Sequence, residues 1–408
     1  MTTTPPSPSS NEPRLFGPEM LANPYPFYHR LRASQPVLRV PAVDAWIVTT
    51  YEGVNGSLRN PRLSSDRFPR ARARLEAKGL AGLVDDRMKS MIHMDAPDHT
   101  RLRGLVNKAF TPRAVEAMEG RINEIIEELL DAAAKKGRFD LIADLAYPLP
   151  VMVIAEMLGV PAQDRAKFKA WSDDLSAVLA GDPAALPDRT LSRVMAARAE
   201  LVDYFRAIAA TRRLSPGNDL LSALVQAEEE GGRLSEDELY STLVLLLVAG
   251  NETTTNLIGN GMLALLNHDD ERRRLWSDPV LVPTAVEEML RYDSPIQFTT
   301  RLAKTALEIH DTKIREGESL YLVIGAANRD PAQFPDPDRF DVGRAANKHI
   351  AFGAGAHFCL GAPLARLEAQ LALRAMSRRC PNLRLSGDKP EYRNNFNLRG
   401  LKALQVEI

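Results

Sequence analysis

Segments with helical periodicity fill most of the chain. Apolar residues recur every three or four positions over residues 114–134 and 189–213, which predicts an amphipathic helix in each segment. Short runs rich in β-branched and aromatic residues predict strands. These runs lie at residues 37–40, 46–49, 307–309 and 319–324. The pattern predicts a mainly α protein with a small β-rich lobe, in which the first two strands form a hairpin.

The longest predicted helix spans residues 236–267. Ser235 and Glu238 form a capping box directly before it, since Ser-x-x-Glu satisfies two free N–H groups at a helix N-terminus. At 1.5 Å per residue this helix would extend about 45 Å, long enough to cross the whole molecule.

The middle of that helix has a sequence that disfavours helix. Residues 249–255 read Ala-Gly-Asn-Glu-Thr-Thr-Thr. The glycine costs about 1 kcal/mol relative to alanine, and the three threonines are β-branched. Such a conflict inside an apolar helix often marks a functional site. A polar turn facing solvent, with threonines bonded to carbonyls one turn earlier, explains the segment equally well on its own.

Composition restricts the class of protein. The chain has 408 residues, and its 52 basic and 53 acidic residues argue against general nucleic-acid binding. Two cysteines cannot build a disulfide framework and fit a reducing compartment. The longest apolar run, residues 243–249, is far shorter than the roughly 20 residues of a membrane span. We expect a cytoplasmic protein without a membrane anchor, with a disordered tail over residues 1–20 and one domain over residues 21–408.

Cys359 lies in a glycine-rich loop directly before a predicted helix over residues 362–379. Residues 352–361 read Phe-Gly-Ala-Gly-Ala-His-Phe-Cys-Leu-Gly. A sulfur at a helix N-terminus lies near free N–H groups and the positive end of the helix dipole, which favours the thiolate. The glycines leave room for a large flat ligand to approach the backbone. A haem iron requires such a thiolate from a cysteine ligand.

Two other interpretations of Cys359 are open from the residues alone. A lone cysteine is often an ordinary buried thiol. A zinc site needs about four nitrogen or sulfur ligands, and the only other cysteine, Cys380, stands at the far end of the following helix. The three glycines and His357 favour haem over both.

Residues 352–361 resemble the haem-binding loop of bacterial cytochromes P-450, Phe-Gly-x-Gly-x-His-x-Cys-x-Gly, and the resemblance covers residues 21–408. It implies the cytochrome P-450 fold, with haem b (iron protoporphyrin IX) between the long distal helix and the cysteine-loop helix and with Cys359 as the iron ligand. Residues 249–253 resemble the oxygen-binding groove of the family, Ala-Gly-x-Glu/Asp-Thr. The resemblance implies that Thr253 hydrogen-bonds the bound oxygen and that Glu252 helps to relay protons from solvent.

The resemblance also implies the contacts to the two haem propionates. His99 and Arg103 match the family's His and Arg four residues apart, which share one helix face and bind one propionate. Arg301 and His357 match the residues that bind the other. Arg101, between the first pair, is expected to be exposed.

Glu288 and Arg291 form a Glu-x-x-Arg pair, a weak signal alone because exposed pairs of this spacing contribute little. Together with residues 336–340, Asp-Pro-Asp-Arg-Phe, the pair resembles the family's Glu–Arg–Arg triad. Arg339 is then the third member, and the triad holds the cysteine loop in place.

The resemblance further implies a substrate cavity enclosed by two irregular segments, residues 63–91 and 181–187. Its wall is expected to include Leu245, Ala249, Ile296, Gln297 and Phe396. A mostly apolar wall suits a small lipophilic substrate such as a macrolide, terpenoid, steroid or fatty acid.

The predicted function is therefore that of a haem-thiolate monooxygenase, which inserts one oxygen atom of O2 by hydroxylation or epoxidation. We see no flavin or nicotinamide domain, so we expect electrons to come from a small acidic ferredoxin and its reductase, with NAD(P)H used only indirectly. We also expect a monomer. Basic residues that could bind the ferredoxin are Arg101, Lys108, Arg113, Lys348 and Arg366.

Two alternatives to this function stay open. One is a peroxygenase that uses peroxide directly, which the Glu252–Thr253 pair disfavours. The other is a haem-binding sensor or carrier without turnover, in which a proton-delivery groove would have no use.

Overall fold

The computed structural model describes residues 17–77, 79, 89–179, 186–229 and 234–408. Within them the helices are α1 Pro18–Ala22, α2 Tyr25–Ser34, α3 Tyr51–Arg59, α4 Phe68–Glu76, α5 Asp98–Ala109, α6 Pro112–Glu116, α7 Glu119–Ala134, α8 Pro148–Met157, α9 Arg165–Leu179, α10 Asp188–Leu214, α11 Leu220–Glu229, α12 Glu236–Asn267, α13 Asp269–Ser277, α14 Val282–Tyr292, α15 Ile324–Ala327 and α16 Ala362–Arg379. The strands are β1 Val37–Val40, β2 Ala45–Val48, β3 Leu63–Ser64, β4 Arg138–Asp140, β5 Thr299–Ala303, β6 Leu307–Ile309, β7 Thr312–Ile314, β8 Ser319–Leu322, β9 Arg384–Leu385 and β10 Gln405–Glu407.

Three of the predicted segments fall partly outside these residues. Residues 1–16 of the predicted tail, residues 78 and 80–88 of the first cavity loop and residues 181–185 of the second are not among the described residues. The predicted tail also ends too late. Helix α1 begins at Pro18 and buries Met20, because this apolar side chain packs against α2 and the β-rich lobe.

Helix α12 lies at the centre of the helical part and contacts α8, α9, α10, α11, α14 and α16. Its predicted capping box is present: the Ser235 Oγ accepts a hydrogen bond from the Glu238 N–H, and the Glu238 carboxylate accepts one from the Ser235 N–H. Apolar residues surround the helix on most sides, which is typical of a fully buried helix. A Cβ on Gly261 would lie 2.4 Å from the Met289 Sδ, so glycine here lets α12 and α14 pack closely.

The small β-rich lobe contains a five-stranded sheet in the order β1-β2-β8-β5-β3. Strands β1 and β2 form the predicted hairpin, with Val37 opposite Val48, and β2 runs parallel to β8. The sheet carries β5 beside the helical part, which brings Arg301 to the site described below. The mainly α fold with a small β-rich lobe is thus as predicted.

One predicted helix is broken. Residues 114–134 were expected to be continuous, but α6 ends at Glu116 and α7 begins at Glu119. Both helices pack against α16, and the break lets each of them reach it. Within the part of the chain that the structure describes, no helix has the length and apolar character needed to cross a bilayer.

Candidate active site

The loop that carries Cys359 has a defined backbone conformation. The Cys359 N–H donates to the Phe352 carbonyl at 2.9 Å. Gly355 has φ +70°, and a Cβ at this position would lie 2.8 Å from the Leu58 carbonyl oxygen. Glycine is therefore required at this position both for its left-handed conformation and for the close approach to α3. The loop places Cys359 in the wall of a large cavity.

The protein alone does not favour the Cys359 thiolate, contrary to the sequence-based expectation. Burial raises the pKa of the Cys359 thiol, although the N–H groups of Gly361 and Ala362 and the Arg103 guanidinium act in the opposite direction. The predicted backbone donors are present, but desolvation outweighs them. Because a thiol that coordinates a metal ion is deprotonated, iron ligation would supply the stabilisation of the thiolate that the protein's own groups do not.

The cavity lies between α12 and the cysteine loop and has a volume of about 660 Å³. Gly250 of α12 and Gly361 of the loop both line it, and a Cβ at either position would meet no atom within 4 Å. Because neither glycine has a side chain and both face open space, a flat macrocycle can lie between the two walls. The slot therefore suits a haem with Cys359 in its wall.

Thr253 and Glu252 are adjacent on α12 but face different surroundings. Thr253 lines the cavity, and its hydroxyl donates to the Ala249 carbonyl at 2.8 Å. Glu252 is buried outside the cavity lining and accepts from the Arg393 Nη1 at 3.4 Å. Burial raises the pKa of the Glu252 carboxyl, while Arg393 opposes this shift. Thr253 thus bonds to the carbonyl one turn earlier, as expected for a polar turn. However, it lies in the wall of the cavity and not on a surface that faces solvent.

His99, Arg103 and His357 come together beside the cysteine loop and all line the cavity. The rings of His99 and His357 are 4.0 Å apart between centroids. Burial and the neighbouring His99 and Arg301 lower the pKa of His357 to about 4. Burial also lowers the pKa of Arg103, and Cys359 opposes that shift, so this guanidinium interacts electrostatically with the cysteine. The sequence prediction of a cationic group here agrees with this geometry.

Arg67 extends this cationic group, and sequence reasoning did not single it out. Its Nη1 donates to the Thr300 Oγ1 at 3.0 Å, while its buried Nε has no hydrogen-bond partner among the described residues. Burial and Arg67 lower the pKa of Arg301 to about 10, and Asp95 is the one carboxylate that opposes them. In the sequence the only signal was an arginine next to an aromatic residue in a segment expected to line the cavity.

Buried cations of this kind require a compensating anion. Few negative groups act on the cluster of Arg67, His99, Arg103, Arg301 and His357: Asp95 acts on His99, Arg301 and His357, Asp66 acts on Arg67, and Cys359 acts on Arg103. A haem carries two propionates. The cationic cluster and the slot between the two glycines therefore both fit this cofactor.

A family model described as cytochrome P450 matches residues 70–278 and 279–404. The chain belongs to the cytochrome P450 family. It is 44% identical over 390 residues to cytochrome P450 107B1 of Saccharopolyspora erythraea, with 93% of each chain covered. It is 43% identical over 401 residues to the monooxygenase PikC of Streptomyces venezuelae, covering 96% of this chain and 92% of PikC.

Solved structures agree with this membership. The ligand-free structure of Mycobacterium smegmatis CYP164A2 has a TM-score of 0.87 and 42% identity, covering 96% of this chain and 98% of that one. P450BioI in complex with an acyl carrier protein has a TM-score of 0.87 and 38% identity, covering 96% and 99%. The protein is a P450 monooxygenase that acts on small lipophilic molecules, and its cofactor is a haem bound through a cysteine thiolate. The predictions of fold, enzyme class and cofactor are confirmed.

The buried Glu–Arg–Arg cluster of this P450 contains Arg344 and not Arg339. Glu288 and Arg291 are fully buried and joined by two hydrogen bonds of 2.7 and 2.8 Å, and the Arg344 Nε completes the cluster at 3.1 Å from Glu288. The Arg339 side chain is 63% exposed. Its carbonyl oxygen instead accepts from Arg291 and Arg344. Arg339 closes a turn in which its N–H donates to the Asp336 carbonyl at 3.0 Å and Asp336 has φ +47°.

Three of the five residues predicted for the substrate wall line the P450 cavity, namely Leu245, Ala249 and Ile296. The predictions for the other two are wrong. Gln297 is buried, donates to the Ser294 carbonyl at 2.8 Å and accepts from the Tyr28 hydroxyl at 3.1 Å. Phe396 packs in the apolar cluster around α2.

The reason for the Gln297 error is local geometry. The chain is extended here, with Ile296 in an isolated bridge to Leu398, and neighbouring side chains of an extended chain point to opposite sides. Ile296 and Phe298, on either side of Gln297 in the sequence, line the cavity, while the Gln297 side chain is bonded to Tyr28 and Ser294.

Two of the five basic residues predicted to bind a redox partner are engaged within the molecule. Arg101 donates to Glu238 at 3.1 Å, so it is not simply exposed as expected. Arg366 donates to Glu287 at 2.7 Å. Lys108, Arg113 and Lys348 are exposed.

Proposed function

We propose that Cys359 is the haem ligand of this P450 and that the enzyme hydroxylates or epoxidises a lipophilic molecule held against α12. One observation carries the proposal: Cys359, Gly250 and Thr253 line the same largely apolar cavity. When bound, the haem supplies the thiolate-ligated iron at which O2 is activated. Among similar structures, one carries testosterone and another a hexadecenoic acid on its carrier protein, which supports a lipophilic substrate for this chain.

The cationic cluster supports a second part of the proposal, in which His99, Arg103, Arg301 and His357 bind the haem propionates. Arg67 joins them, because its buried Nε points to no other partner among the described residues. Arginine grips a carboxylate with two parallel hydrogen bonds, which fixes the orientation of the group as well as its position.

Proton delivery is assigned to Thr253 and Glu252. Thr253 can release the Ala249 carbonyl by rotation about χ1 and turn its hydroxyl toward the cavity. Burial raises the pKa of the Glu252 carboxyl, which favours its proton-bearing form relative to that of an exposed glutamate. Glu252 pairs with Arg393, which is one-third exposed, so this ion pair connects the buried carboxyl to solvent. Positioned proton transfer typically contributes 10²–10⁴-fold to a rate.

Electrons are proposed to come from an acidic ferredoxin that docks near α16, with NAD(P)H used only by the ferredoxin reductase. Helix α6 packs against α16 and carries Arg113. Lys108 lies in the last turn of α5, the helix that also carries Arg103. Charge reversal at Lys108 or Arg113 should slow reduction and weaken its dependence on salt. The control is Lys313→Glu on β7, which should leave both unchanged. A reduction rate that does not fall with salt in the wild type contradicts this docking.

The carbon-monoxide difference spectrum tests the proposed ligand. We expect Cys359→Ser to lose the strongly red-shifted band of thiolate-ligated haem and Cys380→Ser to keep it, since Cys380 lies beyond the far end of α16, about 27 Å along the helix. A red-shifted band in Cys359→Ser would refute the proposal. Substrate-dependent NADH consumption then separates turnover from haem carriage, and activity with peroxide alone would identify a peroxygenase.

A further inference from the structure

His93 lines the cavity, but neither the haem contacts nor the proton relay of the proposed function uses it. It ends a short 3₁₀ turn, Met91–His93, in which the His93 N–H donates to the Ser90 carbonyl at 2.8 Å. All three residues of this turn line the cavity, and so does Ser90. The turn therefore places an imidazole in a wall whose neighbouring side chains, Met91 and Ile92, are apolar.

Two contacts fix the orientation of the His93 ring. Its Nδ1 lies 3.3 Å from the Ser90 Oγ, and the ring meets that of Phe68 edge-on with 5.1 Å between centroids. The His93 Nε2 has no hydrogen-bond partner among the described residues, and the side chain is only partly buried. Nε2 is thus the polar atom of His93 that remains for a ligand in the cavity.

The His93 imidazole is neutral at pH 7. Burial lowers the pKa of His93 well below its ordinary value, and the neighbouring Arg67, Lys89 and His357 act in the same direction. A neutral imidazole has one nitrogen that donates and one that accepts. His93 therefore suits a neutral polar group of a ligand, whereas the cationic cluster suits an anion.

The Ser90 hydroxyl indicates which nitrogen of His93 donates. Ser90 is buried, and its one side-chain hydrogen bond among the described residues is with the His93 Nδ1. If Nδ1 carried the proton, the Ser90 hydroxyl hydrogen would have no acceptor among these residues, and a buried donor without an acceptor costs free energy. The arrangement that satisfies both groups has Ser90 donating to Nδ1 and the ring proton on Nε2.

We propose that the substrate of this P450 is a lipophilic ketone whose carbonyl oxygen accepts a hydrogen bond from the His93 Nε2, with Ser90 holding the ring. A binding site of this kind combines an apolar wall with a few precisely placed polar groups, which fix the orientation of the ligand. Met91 and Ile92 would contact the carbon skeleton on either side. An oxygen fixed at this wall limits which carbon lies beside Thr253. The proposal rests on the proposed function, since it names the substrate class of that same cavity.

Optical titration of the holoenzyme tests this proposal with three ligands of one ring size, namely cyclododecanone, cyclododecanol and cyclododecane. The Soret shift reports occupancy of the cavity. We expect His93→Phe, which keeps an aromatic ring beside Phe68, to raise the Kd of the ketone about three- to tenfold, as for one neutral hydrogen bond, and not to raise that of the hydrocarbon. His93→Gln keeps an N–H donor and should recover most of the affinity for the ketone. His310→Gln is the control and should change neither, because His310 is exposed and lies outside the lining.

The outcomes separate this proposal from the proposed function. An equal change in Kd for ketone and hydrocarbon, or no Soret shift with any of the three ligands, overturns the assignment of the carbonyl while the red-shifted carbon-monoxide band upholds the haem site. A larger loss of affinity for the alcohol than for the ketone would mean that Nε2 accepts from a hydroxyl, and the ketone proposal would be wrong. If His93→Phe instead speeds haem transfer to apomyoglobin and leaves the affinity for the ketone unchanged, His93 binds a propionate and not the substrate.

Discussion

Glu288 and Arg344 are 56 residues apart in the chain, and the Arg344 Nε lies 3.1 and 3.2 Å from the two carboxylate oxygens of Glu288. The same carboxylate accepts two hydrogen bonds from Arg291 and one from the Asp341 N–H. Glu288 is completely buried, so these donors replace its hydration. They tie α14 to the segment that leads into the cysteine loop.

We predict that Arg344→Met destabilises the protein by about 1.5–3 kcal/mol, because it removes a buried charge-assisted hydrogen bond to Glu288 while Glu288 stays paired with Arg291. The measurements are denaturant unfolding and the haem content of the purified protein. Arg339→Met is the matched control. Its side chain is exposed, and we expect a change within about 0.5 kcal/mol. If Arg339→Met destabilised the protein more than Arg344→Met, Arg339 and not Arg344 would be the second arginine of the cluster.

Sequence reasoning located the helices that carry strong end signals. The ends of α12 and α16 agree with the predicted residues 236–267 and 362–379, since a capping box opens one and a glycine precedes the other. The break between α6 and α7 has no such local cause. It depends on how both helices pack on α16, and periodicity contains no information on packing.

The same distinction holds for the candidate site. Residues within one contiguous motif, such as Cys359 or Thr253, lie in the cavity wall as predicted, because spacing along one helix or loop determines their placement. Arg344 was missed because its contact with Glu288 joins two residues that are 56 positions apart, and no local pattern in the sequence indicates such a contact. Gln297 was assigned to the wrong side because alternation along an extended chain reverses with a shift of one residue.

Thr253→Ala should increase the peroxide released per NADH consumed. Thr253 lines the cavity and directly follows Glu252 in α12, so its loss removes the proposed proton donor at that wall. The measurement is the ratio of peroxide to NADH with a ferredoxin and its reductase. Thr255→Ala is the matched control, since the Thr255 hydroxyl donates to the Asn251 carbonyl at 3.1 Å and does not line the cavity. Unchanged coupling in Thr253→Ala would remove Thr253 from this role.

Arg67→Gln should release haem faster. The buried Nε of Arg67 has no hydrogen-bond partner among the described residues, and a propionate would supply one. Loss of a charge-assisted hydrogen bond corresponds to a rate increase of about tenfold or more. Haem transfer to apomyoglobin measures the rate. Arg62→Gln, an exposed arginine shortly before it in the chain, is the control. Equal rates for the two variants would exclude Arg67 from the propionate contacts.

Arg366 of α16 pairs with Glu287 of α14, and we expect this pair to stabilise the folded state near neutral pH and to lose that contribution in acid. Although burial opposes it, hydrogen bonds from Arg366 and His349 lower the pKa of Glu287 to about 2. A carboxylate with a lowered pKa stabilises the folded state above its unfolded pKa of about 4.5, and this contribution is lost as the pH falls toward 2. Glu287→Gln should therefore reduce the melting temperature at pH 6, with a difference from the wild type that narrows below pH 4.5. A difference independent of pH would contradict this.

Glu368 should make the protein less stable as the pH rises. Its side chain is buried in α16, its Oε2 has no hydrogen-bond partner among the described residues, and burial raises its pKa to about 8. Between the unfolded pKa of about 4.5 and pH 8 the folded state binds one proton more than the unfolded state, so the free energy of unfolding falls by up to about 1.4 kcal/mol per pH unit and levels off above pH 8. Glu368→Gln keeps the shape of the side chain but does not titrate. Melting temperatures of the two holoenzymes should therefore diverge from pH 5 to pH 8 in favour of the variant. Parallel curves would mean that Glu368 finds a partner in the holoenzyme and is ionised there.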